Sequence, residues 1–182
     1  MEQPLDVGTK QDPGTTPGLD TKYLATYLDD HVTGATVAIQ RVRRMTSSYS
    51  DTPAGPVLSK LLAQLEEERE FLASTARALG IDLSRYKPAL ATVAERIGRL
   101  KPNGRLLRSS PLSALLEVEL LRGAITGKLS GWQTLGTLPA EAPVDRERLA
   151  QLQVQAQAQF DQLTELLTRL RPAISRRRTS ER

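Results

Sequence analysis

Residues 24–45, LATYLDDHVTGATVAIQRVRRM, decide the fold. Leu24, Leu28, His31, Ala35, Ala38, Val42 and Met45 follow one another at alternating spacings of four and three. That rhythm puts one side chain per turn on a single face of a helix, whereas a strand alternates with period two. The face is too narrow for a helix buried on all sides, so it reads as one seam of a helical bundle. His31, the only histidine in the chain, stands at its centre.

The same rhythm recurs downstream. Thr52 is placed to cap a second helix with Pro53 in its first turn, and Gly80 is placed to stop it in the left-handed conformation. The seam of this helix, over about 53–79, is Leu58, Leu61, Leu65, Glu68, Leu72, Thr75 and Leu79, with a carboxylate inside it. Helix C, about 111–135, is apolar on two sides: Ala114, Val118, Leu121, Ile125, Leu129 and Trp132 on one, Leu112, Leu116, Leu120, Gly123, Gly127 and Gly131 nearly opposite. Interior glycines cost about 1 kcal/mol each relative to alanine. A close backbone approach is therefore expected to compensate them. Asp145 caps helix D, about 146–171, whose seam of Leu149, Leu152, Ala156, Phe160, Leu163, Leu167 and Leu170 carries no ionisable group and reads as structural.

The first helix is expected from a cap at Asp20 to about 49, behind a disordered leader of residues 1–19 rich in Pro and Gly. The connector from 81 to 110 is too long for a hairpin loop. Within it Leu90, Val93, Ala94, Ile97 and Leu100 imply a short amphipathic helix over 88–100. This helix, or failing that a second subunit, is expected to cover the outer face of helix C. Residues 173–182 form a basic tail.

At 182 residues the chain suits one domain. It has no cysteine, which excludes disulfides and thiolate chemistry, and no apolar run of the length a membrane span needs. With no export signal visible, a cytoplasmic location is the default expectation. The net charge of +4 is uneven, because the basic excess lies in the connector and the tail and the remainder is acidic. Arg96, Arg99, Arg105, Arg108, Arg176, Arg177 and Arg178 are the candidates for contact with anions. With aromatics at 4 % of the chain, stacking on single-stranded bases is not supported, and nucleic-acid binding would be weak and nonspecific.

Two long hairpins joined by a long connector resemble the ferritin-like class of four-helix bundles. The phrases YLDDHVTGA and GKLSGWQTL are also similar to a group of bacterial bundle proteins without an established activity. That resemblance implies an all-α bundle over about 20–172 and supplies no chemistry. Ferritin-like metal sites use Glu-x-x-His pairs. Here Leu28 stands three residues before the single histidine, so the usual ligand set cannot be built and no cofactor is expected.

What remains is a pair. Counted at 1.5 Å per residue from the turn that joins the first two helices, His31 and Glu68 fall at one level and should face each other. A polar contact fixing register is one reading, and a catalytic or metal-related role is the other. Asp30 and Glu67 reach only the borders of the seam, while Asp29 and Glu66 point elsewhere. Arg122, three residues on, is the natural surface partner of Glu119, which joins His31 and Glu68 as a metal ligand only if helix C runs parallel to the first helix and is rotated. Lys128 and Trp132, one turn apart, suggest a cation over the indole or a lysine snorkelling at the core edge. No glycine-rich phosphate loop and no nucleophile elbow is present. The expected function is that of a non-catalytic bundle acting by association, with a protein partner or a second copy. A divergent metalloprotein centred on His31 and Glu68, or a weak polyanion-binding adaptor, are the alternatives.

Overall fold

The computed structural model describes residues 21–83 and 111–175. Four long helices pack together, and no strand occurs among the described residues. They are α1 (Thr21–Ser48), α2 (Gly55–Ala78), α3 (Pro111–Gly136) and α4 (Arg146–Leu170), followed by a single turn, α5 (Pro172–Ser175). The leader, the expected connector helix at 88–100 and all seven candidate anion-contacting arginines lie outside the described residues.

Local chemistry sets the helix ends. At the C-terminus of α2, Gly80 adopts φ 73°, and the amides of Gly80 and Ile81 turn back to the carbonyls of Arg77 and Ala76 at 3.0 and 2.9 Å. This is the doubly bonded left-handed stop that glycine permits at no steric penalty. Asp145 caps α4 by accepting the Arg148 amide at 2.9 Å. The start of α2 differs from expectation. Thr52 accepts the Ala54 amide in the turn at 3.3 Å, and the helix begins at Gly55 with a proline in its first turn. Gly55 is there because a Cβ would meet the Ser50 carbonyl oxygen at 2.6 Å.

α1 packs on α2 and α3, and α4 packs on α3 and α2, leaving α1 with α4 and α2 with α3 as the diagonal pairs. Side-chain contacts fix the directions. Tyr27 and Thr134 share a hydrogen bond of 3.0 Å near one end of the bundle, and Tyr49 donates to Glu117 at 2.9 Å near the other, so α1 and α3 are antiparallel. Gln159 meets Gln64 while Gln155 meets Glu68, so α2 and α4 are antiparallel too. Helix directions are thus up, down, down, up, and α3 runs parallel to α2. The chain between Leu83 and Pro111 therefore joins opposite ends of the bundle.

The core is a column of buried leucines with Val42, Met45, Val118, Ile125, Trp132 and Ala156. Burying such side chains contributes about 1.5 to 3 kcal/mol each for the larger ones, and this is what holds the helices together. No described helix is long and apolar enough to cross a membrane.

Candidate functional site

The apolar column is interrupted near mid-bundle by a polar knot. Glu68 on α2 is 2 % exposed, and its carboxylate reaches across the diagonal to Lys128 on α3, with Nζ 2.5 Å from Oε2. Its other oxygen accepts from Gln155 at 2.7 Å and Gln159 at 3.0 Å, both on α4. Lys128 also donates to Gln159 Oε1, and Gln159 donates to Gln64 at 3.0 Å. A buried charge is tolerable only when paired and hydrogen-bonded, and here both conditions hold. Burial pushes the Lys128 ammonium below the usual lysine range, with Glu68 pulling it back towards the charged form.

This arrangement corrects several expectations. Lys128 is neither over the indole nor snorkelling; it turns inward. Glu68 meets Lys128, Gln155 and Gln159, with no hydrogen bond to His31. On α4 the seam position expected of Phe160 is taken by Gln159, which is 2 % exposed, while Phe160 is half-buried with the Arg122 guanidinium 5.4 Å from its ring centre. Arg122 was expected beside Glu119. The sequence did hold a signal for Gln159: it lies three residues after Ala156 and four before Leu163, in step with the seam.

His31 lies beside the knot and lines the same cavity as Glu68. Its ring packs on Tyr27, centroids 4.5 Å apart, and its edge presses on the α3 backbone, where a Cβ at Gly131 would stand 2.9 Å from Cε1. This is the close approach expected of the helix C glycines. Among the described residues it occurs at Gly131 alone of the three, because Cβ positions at Gly123 and Gly127 have none of them within 4 Å. Burial lowers the His31 pKa, against an opposing pull from Asp30. Asp29, expected to point away from the seam, is buried, and the pKa of its carboxyl is raised by burial and then by Asp30. Glu66 pairs with Arg43 at the surface.

Since His31 stands level with Gly131, Glu119 lies about 18 Å away along α3 at the rise of an α-helix. Glu119 therefore does not join His31 and Glu68. Among the described residues no group of three or more His, Cys, Asp or Glu side chains is placed to hold a metal ion.

Between α1, α2 and α3 the packing leaves a cavity of about 230 Å³. His31, Gly34, Glu68, Gly127, Lys128 and Trp132 are among its lining residues, with apolar side chains making up most of the rest. Trp132 is 3 % exposed, stacks edge-on against Phe71 at 5.8 Å, and its indole N–H has no hydrogen-bond partner among the described residues. The walls thus combine an apolar surface, a buried ion pair and an imidazole. Such a place can hold a small molecule, and pockets between bundle helices commonly do. No protein-family model, curated protein or solved structure matches the chain.

Proposed function

We propose that this chain is a ferritin-like four-helix bundle without catalysis of its own, acting by association, with the mid-bundle cavity as its working site for a small molecule. The up-down-down-up arrangement of two hairpins supports the ferritin-like reading. The observation that carries the function is the cavity of about 230 Å³, lined mainly by apolar side chains beside a buried ion pair. Pockets between the helices of a bundle are common places for a small ligand. The metalloprotein alternative is weakened by Lys128, which occupies the carboxylate a metal would need.

The test is thermal unfolding of the full chain with benzene and toluene. Ligands that bind the folded state alone raise the melting temperature by mass action. Ala35 and Ala38 both line the cavity, so Ala35→Leu or Ala38→Leu should fill it and abolish the shift. A chain indifferent to both compounds would defeat the proposal.

A second association surface is favoured by one observation. Leu112, Leu116 and Leu120 lie in a row on the outside of α3, exposed at 45, 44 and 61 %. Contiguous exposed apolar patches mark interaction sites. If this row serves self-association, sedimentation should show an oligomer that the double variant L116E/L120E dissolves.

A further inference from the structure

One cation on the cavity wall stands apart from the polar knot. Arg69, next to Glu68 on α2, lines the cavity and is half-buried. Its Nε donates to Thr36 Oγ1 at 3.1 Å, and that hydroxyl donates in turn to the Val32 carbonyl at 2.8 Å. The guanidinium is thereby anchored to α1, yet no carboxylate among the described residues forms an ion pair with it. The other titratable groups on the wall are accounted for. Lys128 and Glu68 neutralise each other, the Tyr27 hydroxyl pairs with Thr134, and burial favours the neutral His31 ring. Asp30 is exposed, and six residues of α1, about 9 Å of helix rise, separate it from Thr36.

An occupant of the cavity displaces water from that guanidinium, and a neutral apolar one returns nothing for the lost hydration. A carboxylate returns both the charge and the acceptors, in hydrogen bonds about twice as strong as neutral ones. A cation meets Arg69 with like charge, and it finds the Glu68 oxygens already taken by Lys128, Gln155 and Gln159. A phosphate monoester brings close to two negative charges against one guanidinium, so a single carboxylate is the better match. Gly34 and Gly127 on the lining are exposed, so the cavity reaches the surface and an anionic head keeps part of its hydration. The body of the molecule meets the buried side chains of Leu65, Leu72 and Ile125. Size sets the last limit: a void of about 150 Å³ holds benzene, so this one holds about nine non-hydrogen atoms by proportion.

We infer that the cavity takes a small monocarboxylate with a compact apolar body, its head paired with the Arg69 guanidinium. This rests on the cavity being the working site and names the class of molecule that site receives.

The experiment titrates the ¹⁵N-labelled full chain with three probes of one shape and different charge: benzoate, nitrobenzene and benzamidinium. The single tryptophan, Trp132, lies on the cavity wall and gives one indole N–H resonance that reports occupancy. Benzoate is expected to move that resonance to saturation and to bind about tenfold or more tightly than nitrobenzene, the scale of one charge-assisted hydrogen bond. Benzamidinium should bind most weakly. In Arg69→Met the preference for benzoate over nitrobenzene should vanish while nitrobenzene binds as before. Nitrobenzene or benzamidinium binding as tightly as benzoate overturns the carboxylate assignment and leaves the cavity as a binding site. Benzoate binding that leaves the indole resonance unmoved, or a preference that survives in Arg69→Met, overturns the pairing with Arg69. Absence of binding by all three, with benzene and toluene also silent, overturns both the assignment and the cavity as working site. If Arg69→Met does not fold, the three-probe comparison on the unaltered chain decides.

Discussion

At Glu68, donors from three side chains converge on two carboxylate oxygens, and this convergence makes a deeply buried charge compatible with a leucine-rich core. Removing one partner changes the balance abruptly. Glu68→Leu leaves Lys128 buried without a counter-ion, and Lys128→Met leaves the carboxylate in the same position, so each should cost about 3 to 5 kcal/mol. The combination E68L/K128M should cost far less than the sum, because apolar residues of similar volume replace the pair without stranding either charge. Urea unfolding of the two single variants and the double measures the coupling. A second cycle with His31→Leu in place of Lys128→Met should give a coupling smaller by at least about 2 kcal/mol, since His31 shares the cavity with Glu68 but no hydrogen bond. Equal couplings in the two cycles would show that the ion pair is not what holds Glu68. The seam spacing was enough to place Glu68 in the core. Its partner was not legible, because at the level of a single helix Lys128 has the spacing of an ordinary edge lysine, and only the diagonal approach of α3 brings it inward.

At the scale of the helix, α3 shows why three glycines on one stripe need not share one cause. All three stand at intervals of four, and the sequence offers no means of telling them apart. The structure separates them: Gly131 is pressed by the His31 ring, while a Cβ at Gly123 or Gly127 would meet none of the described residues within 4 Å. Alanine at either open position should therefore stabilise the chain by up to about 1 kcal/mol, the difference in helix propensity. Gly131→Ala gains the same propensity but forces the His31 ring to move, and should be net destabilising. Adding His31→Ala to Gly131→Ala should recover part of the loss. Denaturant midpoints of the four variants check the series, and a stabilising Gly131→Ala would show that the close approach is slack. The helices themselves were legible almost to their ends, because the four-three rhythm, Gly80 and Asp145 are local signals. α4 was read less well. Gln159 and Phe160 both fit the seam spacing, and hydrophobicity pointed to the phenylalanine, whereas the need to satisfy Glu68 across the bundle selects the glutamine.

The direction of α3 relative to the first hairpin could not be read from any one helix, since either direction satisfies the same seams. Long-range polar contacts reveal it, and they also stitch the hairpins together: Tyr27 with Thr134 near one end, Glu68 with Lys128 near the middle, and Tyr49 with Glu117 near the other end. The Tyr49 link carries a pH signature. Burial, together with the hydrogen bond to Glu117 and the charge of that residue, pushes the Tyr49 phenol up from 10.0 to about 12. A group whose pKa is raised by folding stabilises the folded state below its unfolded value and loses that contribution as pH rises through its folded one. The link should therefore be intact below pH 10 and lost between 10 and about 12. Lys128 acts in the opposite sense and at lower pH, because its lowered pKa lets stability rise with pH only up to the ordinary lysine value of 10.5. Tyrosinate absorbance of the folded chain should accordingly show a late-ionising component that Tyr49→Phe removes. The same variant should be less stable than the parent at neutral pH by about 1 kcal/mol, the usual worth of such a hydrogen bond, and the gap should close as pH approaches 12. A gap that stays constant across this range would mean that Tyr49 contributes by packing alone and that the hairpins are not held at this end by its hydroxyl.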